Sequence, residues 1–291
     1  ILSTAQFARA LGVSESSIKR WADDGALRVV RTRGGHRRIP LAEAMRFVRE
    51  SKATLVHPAA LGLGRMPATA GSACGEAEHD QLLRCLTDGG AAEACGFLNE
   101  LYLRGRSVAA IVDGPLRIAM ERIGERWQHS PDGILVEHRA TDTCIQWVSH
   151  IRSIFTADDG APVAIGGAPP GDPYILPTLA VAAALEAEGV RAINLGPDTP
   201  VATMILALER ERPAVVWMSV GNDAGRAALA RELDLLSSAA RSHGSRLILG
   251  GRALGSKPLD VPADLQVSRS VGEVAAFARG LILGSRANAV P

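Results

Sequence analysis

Apolar and polar positions follow a helical period near the amino end and then switch to alternation. "AQFARALG" and "SESSIKRWADDG" have apolar residues at helical spacing, and Thr4 and Ser14 can cap the two helices. "LRVVRTRGGHRRIP" then alternates about Gly34 and Gly35, as a hairpin does, before a further helical stretch, "LAEAMRFVRE". The pattern predicts a winged helix-turn-helix over residues 1–52.

The middle of the chain returns to helical spacing after a break. Residues 53–77 are rich in Ala, Gly and Pro without a sustained period, which predicts a linker. Residues 78–158 contain four helical segments separated by short Gly, Ser or Pro breaks, which predicts a four-helix bundle. The segments are "EHDQLLRCLTDG", "GAAEACGFLNELYLRG", "SVAAIVDGPLRIAMERIGERWQ" and "PDGILVEHRATDTCIQWVSHIRSIF".

In residues 159–291 short apolar runs alternate with helical patterns. The runs are "PVAIGG", "RAINLG", "AVVWMSV", "RLILGG" and "LQVS". This alternation predicts an α/β domain with a doubly wound parallel sheet, in which ligands bind beyond the carboxyl ends of the strands. We therefore predict a multidomain protein made of a winged helix-turn-helix, a helical bundle and this sheet.

Three loops at the predicted carboxyl edge are rich in small residues: "GGAPPGDPY", "SVGND" and "GGRAL". Ser219 can offer a hydroxyl group, and Gly221, Gly250 and Gly251 allow close approach of a flat or slender ligand. The first loop has Tyr174 near its centre, where a strong ligating side chain would be expected in a ligand cradle.

Composition narrows the class of protein. The chain has 291 residues, of which 47% are hydrophobic and 22% are charged, and this composition is typical of a folded protein. Its length predicts roughly two or three domains. It lacks an apolar run approaching the roughly 20 residues of a membrane span, and its first residues do not resemble a secretory signal. We expect a cytoplasmic protein without a membrane partner.

The four cysteines include no CxxC pair, which argues against a disulfide framework and a zinc knuckle. Thiols packed between helices are the favoured interpretation, and a metal-sensing trio of Cys74, Cys85 and Cys95 is the alternative.

Charge is concentrated at the amino end. Residues 1–52 contain eleven Lys or Arg against five Asp or Glu, although the whole chain has a net charge of only +1. An exposed second helix that enters a major groove, and a wing that grips phosphates, would use these cations. The predicted partner is double-stranded operator DNA, and the predicted contacts are Ser16, Ser17, Lys19, Arg20, Arg31, Arg33, His36, Arg37 and Arg38.

The quoted "VSESSIKRWADDGAL" and "RTRGGHRRIP" together resemble the MerR family of winged-helix transcription regulators over residues 1–52. That resemblance implies reading of an inverted or repeated site by two protomers, and hence a homodimer or homotetramer. A solvated basic hairpin on an unrelated helical domain is the alternative.

Trp127, the Glu137–His138 pair, Ser219 and "NLGPDTP" together with the paired glycines of "GGRAL" resemble the cobalamin-binding module. That module is a four-helix cap over a flavodoxin-like domain, and it is fused to a MerR-type reader in the CarH/LitR family of light-responsive repressors. The resemblance implies that Trp127 and the Glu–His pair cap adenosylcobalamin, whose tail enters a slot near Ser219 and the glycines. From periodicity alone, a core Trp and an exposed Glu–His pair are favoured.

The sequence departs from that family where the cobalt would be ligated. The family's loop reads Asp or Glu, any residue, His, two residues and Gly, whereas here Asp172 is followed two residues later by Tyr174. A phenol with a pKa of about 10 is a poor cobalt donor. Gln128 stands at the family's second His, although His129 follows it. We therefore predict no metal ligand and no light control.

Three functional hypotheses follow. The first is a transcription regulator, expected to be a repressor, that senses adenosylcobalamin or a related tetrapyrrole without His ligation and couples occupancy to oligomerisation. The second is a regulator without any cofactor, whose degenerate module serves oligomerisation or partner binding. A cobalamin-carrying enzyme component is the weakest, because a separate catalytic domain and the axial His are missing, and we expect no enzyme activity. The candidate cofactor residues are Trp127, Gln128, Glu137, His138, Asp172, Tyr174, Ser219, Gly221, Gly250 and Gly251.

Overall fold

The structure is a computed structural model that describes residues 1–61, 76–127, 131–222, 226–256 and 265–287. Its contacts divide the chain into two compact units. The first comprises Ile1–Ser107 and Gly114–Trp147, and the second comprises Val108–Asp113 and Val148–Pro291. Among the described residues, no helix has the length and apolar content required to cross a membrane.

Residues 1–51 form an amino-terminal domain, called the reader below, which consists of three helices and a small antiparallel sheet. Its elements are β1 (Leu2–Ser3), α1 (Thr4–Leu11), α2 (Glu15–Asp23), β2 (Val30–Arg31), β3 (Arg37–Ile39) and α3 (Leu41–Ser51), with sheet order β1-β3-β2. Phe47 packs edge-on against Phe7, with ring centroids 5.9 Å apart, and lies 5.0 Å from the ring of Trp21. These aromatic contacts join all three helices of the predicted helix-turn-helix.

Helix α1 begins with a capping box in which Ser3, rather than the predicted Thr4, is the cap. The Ser3 hydroxyl accepts the Gln6 N–H at 3.1 Å, and the Gln6 side chain accepts the Ser3 N–H at 2.8 Å. The prediction placed the cap one residue late because a Thr can also satisfy helix N–H groups. At the second helix the predicted cap is confirmed, because the Ser14 hydroxyl accepts the Ser17 N–H at 3.2 Å.

The folded region continues beyond the end of the predicted reader. The N–H groups of Val56 and His57 both donate to the Ala10 carbonyl, at 2.8 and 3.0 Å, and Pro58–Leu61 forms a 3₁₀ turn. Residues 53–61 of the predicted linker therefore pack on α1, and residues 62–75 lie outside the described part of the chain.

The helical bundle is built from α4 (Glu76–Thr87), α5 (Ala91–Leu103), α7 (Arg117–Trp127) and α8 (Pro131–Arg152). In its core the fully buried Trp147 donates its indole N–H to the Asn99 side-chain oxygen at 3.0 Å. Because a buried indole N–H without a partner is costly, this bond fixes how α5 and α8 pack.

The third predicted bundle helix is not continuous, and that expectation was wrong. Helix α6 (Val108–Ile111) passes into a π-helical segment, Val112–Leu116, in which Gly114 has non-helical angles and Pro115 follows. The Asp113 carboxylate accepts the N–H groups of Val271 and Gly272, at 2.9 and 2.7 Å, at the start of the last helix. The chain thus leaves the helical path where Asp113 caps a helix of the second unit.

The second unit contains the predicted parallel sheet. Its strands are β4 (Val163–Gly167), β5 (Arg191–Gly196), β6 (Val215–Ser219), β7 (Arg246–Gly250) and β8 (Gln266–Ser268). Their order is β5-β4-β6-β7-β8, which is the flavodoxin-like order and confirms the predicted fold class. The order reverses between β4 and β6, so the switch point lies at the carboxyl ends of these two strands.

Helices cover both faces of the sheet: α9 (Ile175–Ala187), α10 (Val201–Glu211), α11 (Arg226–Ser242), α12 (Ala253–Ser256) and α13 (Val271–Ala287). Trp217 of β6 packs with α9 and α13 in one core, whereas its neighbour Met218 packs with α10 and α11 in the other. Alternate residues of a strand point to opposite faces, which explains the nearly continuous apolar strands.

Candidate functional site

Helix α2 presents a polar outer face. Ser16, Lys19 and Arg20 are exposed, and Ser17 is half-buried beside its capping partner. The opposite side carries Ile18, which is fully buried. The helix is therefore held by its apolar side and leaves two cations outward, as a groove-reading helix requires.

The wing is a tight hairpin with exposed cations at its tip. The Thr32 N–H donates to the His36 carbonyl at 2.9 Å, and the Gly35 N–H donates to the Thr32 carbonyl at 2.8 Å. Gly35 has a φ of 77°, which suits a residue without a side chain. The turn exposes Arg31, Arg33 and His36, whereas Arg37 and Arg38 are half-buried.

Arg37 makes an internal contact that the sequence did not reveal. Its guanidinium donates to the Asp23 carboxylate at 2.6 Å and to the Lys19 carbonyl at 3.3 Å, and its side chain is only 18% exposed. These bonds tie strand β3 to the last turn of α2. Arg37 therefore positions the wing relative to the recognition helix, and the outward positive charge of the wing comes from its neighbours.

Glu43 stabilises the reader by accepting hydrogen bonds within it. Its carboxylate accepts the Arg28 N–H at 2.7 Å and two bonds from the Arg46 guanidinium. Burial acts to raise the pKa of Glu43, but the bonds from Arg46 and Arg28 and their positive charges outweigh it, so the pKa lies below its ordinary value. The bonds hold α3 to the segment that leads into the wing.

Arg49 joins the reader to the helical bundle within the first unit. Its guanidinium donates to the carbonyl of Tyr102 in the last turn of α5, at 2.5 Å, and to that of Arg106 just after the helix, at 2.8 Å. It also lies over the Tyr102 ring, 4.1 Å from the centroid. A cation suits the carboxyl end of a helix, where carbonyls lack intrahelical partners.

The bundle residues of the candidate ligand site lie on an exposed part of α8. Ile134 and Leu135 are 56% and 58% exposed, and Glu137 and His138 are also exposed. Residues three and four apart share a helix face, so His138 lies beside both apolar side chains. Gln128 and the side chain of Trp127 lie outside what the structure describes.

At the switch point of the sheet, Asp172 closes the first loop onto its neighbour. It is 1% exposed, and its carboxylate accepts the N–H groups of Tyr174, at 3.1 Å, and of Gly221, in the loop after β6. The Asn222 side chain adds a bond to the Gly171 carbonyl at 3.0 Å. Asp172 thus acts within the protein, and Gly221 is buried beneath the loop.

Tyr174 extends outward from this closed loop. Its side chain is 43% exposed, so it does not fill the loop as a buried core aromatic would. The Arg252 guanidinium lies 5.5 Å from the ring centroid and donates to the Gly221 carbonyl at 3.2 Å. The arrangement leaves part of an aromatic ring available for stacking.

The small residues of the other two loops contact protein backbone. A Cβ atom on Gly251, which has a φ of 124°, would collide with the Val220 carbonyl. The Val220 N–H donates to the Gly250 carbonyl at 2.7 Å, and the Val220 carbonyl accepts the Ala253 N–H at 3.2 Å. Ser219 is 5% exposed. The glycines therefore permit two loops to pack together.

Trp217 fills the space on the face of the sheet that α9 and α13 cover, the same face as Ser219. It is fully buried and occupies the place where Gly166 would carry a Cβ. Its indole N–H donates to the Thr178 hydroxyl at 3.0 Å, and that hydroxyl donates to the Asn194 side chain at 2.9 Å. Sequence reasoning treated Trp217 only as part of a strand, although so large a residue two places before Ser219 was a signal.

These observations test the fit of a cobalamin. The exposed Tyr174 ring fits a flat macrocycle, but a phenol replaces the imidazole below the metal, and Asp172 is already bonded within the loop. The described residues contain no group of three His, Cys, Asp or Glu side chains that could hold a metal ion. The slot implied near Ser219 and the paired glycines is filled by backbone, so the donor set and slot do not fit a tail-buried, His-ligated corrinoid.

The described cysteines are poor nucleophiles. Burial, with a smaller effect from the charge of Glu93, raises the pKa of Cys85 to about 11. Burial raises the pKa of Cys144 to about 12, with Cys95 adding to the effect. Cys74 of the alternative metal-sensing trio lies outside the described residues.

Comparisons with known proteins agree with the helix-turn-helix and helical-bundle parts of the structure. Residues 1–54 match a family described as a helix-turn-helix domain, and residues 78–152 match a family described as a B12 binding domain. No curated protein matches the sequence.

Among solved structures, the chain is similar to the monomethylamine corrinoid protein of Methanosarcina barkeri, with 14% identity and a TM-score of 0.54 over 71% of this chain and 99% of that one. A cobalamin-binding protein of Desulfitobacterium hafniense DCB-2 has 13% identity and a TM-score of 0.35 over 69% and 97% of the two chains. A methanol:cobalamin methyltransferase complex of Methanosarcina barkeri has 15% identity and a TM-score of 0.37 over 81% and 92%.

The chain thus joins a helix-turn-helix domain to a B12-binding module, an architecture like that of CarH. This combination fits a regulator that senses cobalamin.

Proposed function

We propose that the protein is a DNA-binding transcription repressor whose carboxyl-terminal module senses a cobalamin or related tetrapyrrole. Occupancy of the module changes protomer assembly, and assembly sets the spacing of the readers on an operator. The observation that carries the proposal is a reader with outward cations on α2 and the wing, attached to a bundle that matches a B12 binding domain.

The proposal assigns DNA reading to residues 1–52, a linker role to 53–77, the helical cap to 78–158 and the ligand-binding sheet to 159–291. On DNA, Ser16, Lys19 and Arg20 face the groove, and the exposed wing cations face phosphates. The candidate ligand residues are Trp127, Glu137 and His138 in the bundle and, in the sheet unit, Tyr174. The protein acts by binding, because Tyr174 stands where an imidazole would support alkyl transfer at cobalt.

Arg49 is the proposed route from the ligand module to the reader. Its bonds to the carbonyls of Tyr102 and Arg106 transmit a shift of α5 to α3, which carries the reader core. Arg49→Ala should leave DNA affinity without ligand within about twofold of wild type, since the side chain is remote from the wing. The same variant should reduce the ligand's effect on DNA binding, and Arg49→Lys, which retains charge but not the planar fork, should reduce it less.

The direct test begins with selection of duplexes from a random DNA pool by the full-length protein. The enriched duplex is then titrated by fluorescence anisotropy in dim red light, with and without adenosylcobalamin. Sedimentation velocity on the same samples reports protomer number. Enrichment of a repeated or inverted site, together with a ligand-dependent change in both affinity and sedimentation, supports the proposal. Absence of any enriched duplex contradicts the reader assignment.

The closed loop at the switch point favours a second candidate function. Because Asp172 and Gly221 are bonded to each other, the module can also be a ligand-independent surface for oligomerisation or partner binding. In that case the anisotropy and sedimentation curves are identical with and without adenosylcobalamin, while operator binding is intact.

A further inference from the structure

We propose that the α/β unit holds its corrinoid by the macrocycle alone, and that no part of the ligand enters the space between the sheet and helix α9. This inference rests on the proposed function and narrows its ligand class to corrinoids that present an uncovered ring face to the carboxyl edge, which favours those without a nucleotide base.

The first observation is that protein atoms fill the space beneath the switch point. Trp217 is 1% exposed and lies against Gly166, and its indole N–H is bonded to Thr178 at 3.0 Å. The Thr178 hydroxyl donates to Asn194, whose side-chain oxygen also accepts the Gly196 N–H at 3.2 Å. A tail entering here would have to displace an indole that buries about 200 Å² and break this chain of bonds.

The second observation is that the neighbouring loops are closed against each other. The space where Gly251 would carry a Cβ is occupied by the Val220 backbone. The buried Asp172 carboxylate bonds the loop after β4 to the Gly221 N–H of the loop after β6. A Cβ on Gly221 would lie 2.8 Å from the Tyr174 ring and 3.1 Å from the Asp172 carboxylate. The edge therefore lacks room for a slender group between these loops.

The third observation concerns the side chains that this edge exposes to solvent. Tyr174 and Ile175 are 43% and 44% exposed, and Arg252 steadies the ring of Tyr174 from one side. These side chains offer an aromatic and apolar surface without an imidazole. Stacking on such a surface needs an uncovered ring face, which a corrinoid without a nucleotide offers and which one with a tail offers only after its base has left the cobalt.

The test compares adenosylcobalamin with adenosylcobinamide, which has the same corrin and adenosyl groups but lacks the nucleotide. Equilibrium dialysis of the full-length protein in dim red light should give a dissociation constant for adenosylcobinamide about tenfold or more below that for adenosylcobalamin, since the tail gains no protein contacts and its base covers the lower ring face until it is displaced. Burial of a tail of roughly ten or more atoms would favour adenosylcobalamin by about 100-fold or more.

The outcomes separate the two proposals. Tighter binding of adenosylcobinamide supports edge-only binding, and comparable affinities contradict it. A preference of about 100-fold for adenosylcobalamin overturns edge-only binding and leaves the proposed sensing function intact. Binding of neither corrinoid overturns both. The absorbance spectrum of adenosylcobalamin gives a second readout: on binding it should change to that of the form whose base has left the cobalt, because Tyr174 takes the place of the base and no protein imidazole replaces it.

A pair of variants tests the contact surface. Tyr174→Ala should weaken both corrinoids by the same factor, about tenfold, since each loses the same stacking contact. Tyr174→Phe keeps the ring and should bind both as the wild type does. Because Tyr174 is exposed, neither change should impair folding, and far-UV circular dichroism checks this. A loss confined to adenosylcobalamin would overturn the inference.

Discussion

The reader and the carboxyl edge of the sheet both carry polar groups on loops. In the reader these groups point to solvent, whereas at the edge they point into the protein. In the wing, Arg31, Arg33 and His36 are exposed. At the edge, Asp172 is 1% exposed and bonded to two backbone N–H groups of the protein itself. The wing can therefore act on a polyanion through charge, whereas the edge offers a ligand the surface that remains, chiefly the ring of Tyr174.

The largest expected effect comes from opening the edge with Asp172→Ala. The buried Gly221 N–H and the part-buried Tyr174 N–H would lose their acceptor, so the free energy of unfolding should fall by about 2–4 kcal/mol. Urea titration followed by circular dichroism measures it. The matched control is Asp198→Asn, because exposed Asp198 accepts the Gly171 N–H at 2.7 Å and Asn tolerates its φ of 48°, so the change should cost less than about 1 kcal/mol. Equal losses in the two variants would mean that the edge is not held closed by Asp172.

The outward cations of the wing are tested by the double variant Arg31→Ala, Arg33→Ala. Operator affinity should fall about 10- to 100-fold, and the slope of log affinity against log salt should become shallower by about two, one for each lost phosphate contact. The pair Arg210→Ala, Arg231→Ala removes the same charge from exposed positions in α10 and α11 and should leave both quantities unchanged. Similar losses in the two pairs would indicate a general charge effect, and the wing assignment would fail.

Glu43→Gln tests the inward bracing of the reader. At neutral pH the variant should unfold about 1–2 kcal/mol more easily, since a charged acceptor of three bonds becomes a neutral amide. Because the folded pKa of Glu43 is lowered, its contribution is complete above its ordinary value of 4.5 and is lost as the pH falls through the folded value. Urea titrations at several pH values should therefore show the two proteins converging in acid. A constant difference would contradict the lowered pKa.

The smallest effect separates two neighbouring arginines of β3. Arg37→Ala should lower the free energy of unfolding by about 0.5–1 kcal/mol, because its ion pair with Asp23 is only partly shielded from solvent. Arg38→Ala should leave stability unchanged and weaken DNA binding alone. Thermal unfolding and fluorescence anisotropy of both variants measure these effects. If Arg38→Ala lowered stability and Arg37→Ala did not, the internal contact would belong to Arg38 instead.

Hydrophobic spacing predicted the architecture well. All five strand runs of the sheet form strands, and the two helices and wing of the reader form as the alternation indicated. Each helix buries one face and each strand of the sheet is covered on both faces, so the helical period and the apolar runs are both visible in the sequence. The helix broken at Gly114 was missed because its apolar spacing continues through the Gly-Pro pair, and the reason for the break, Asp113 capping α13, lies far away in the chain.

Individual site residues were harder to predict because their roles depend on partners distant in sequence. Arg37 looked like any wing cation until Asp23 was found beside it. Gly251 looked like a place for a ligand, but backbone of the adjacent loop occupies that place. Arg49 and Trp217 do not belong to a sequence motif that would have indicated their roles. The roles assigned to Trp127, Glu137, His138 and Tyr174 at a ligand remain predictions.

The central claim is that ligand and operator binding are coupled, and coupling is reciprocal. The most direct measurement is the dissociation constant of adenosylcobalamin for the full-length protein, with and without a saturating amount of the selected operator duplex. The account predicts that operator changes this constant by about fivefold or more, by the same factor with which adenosylcobalamin changes operator affinity. Identical constants in the presence and absence of DNA would contradict it.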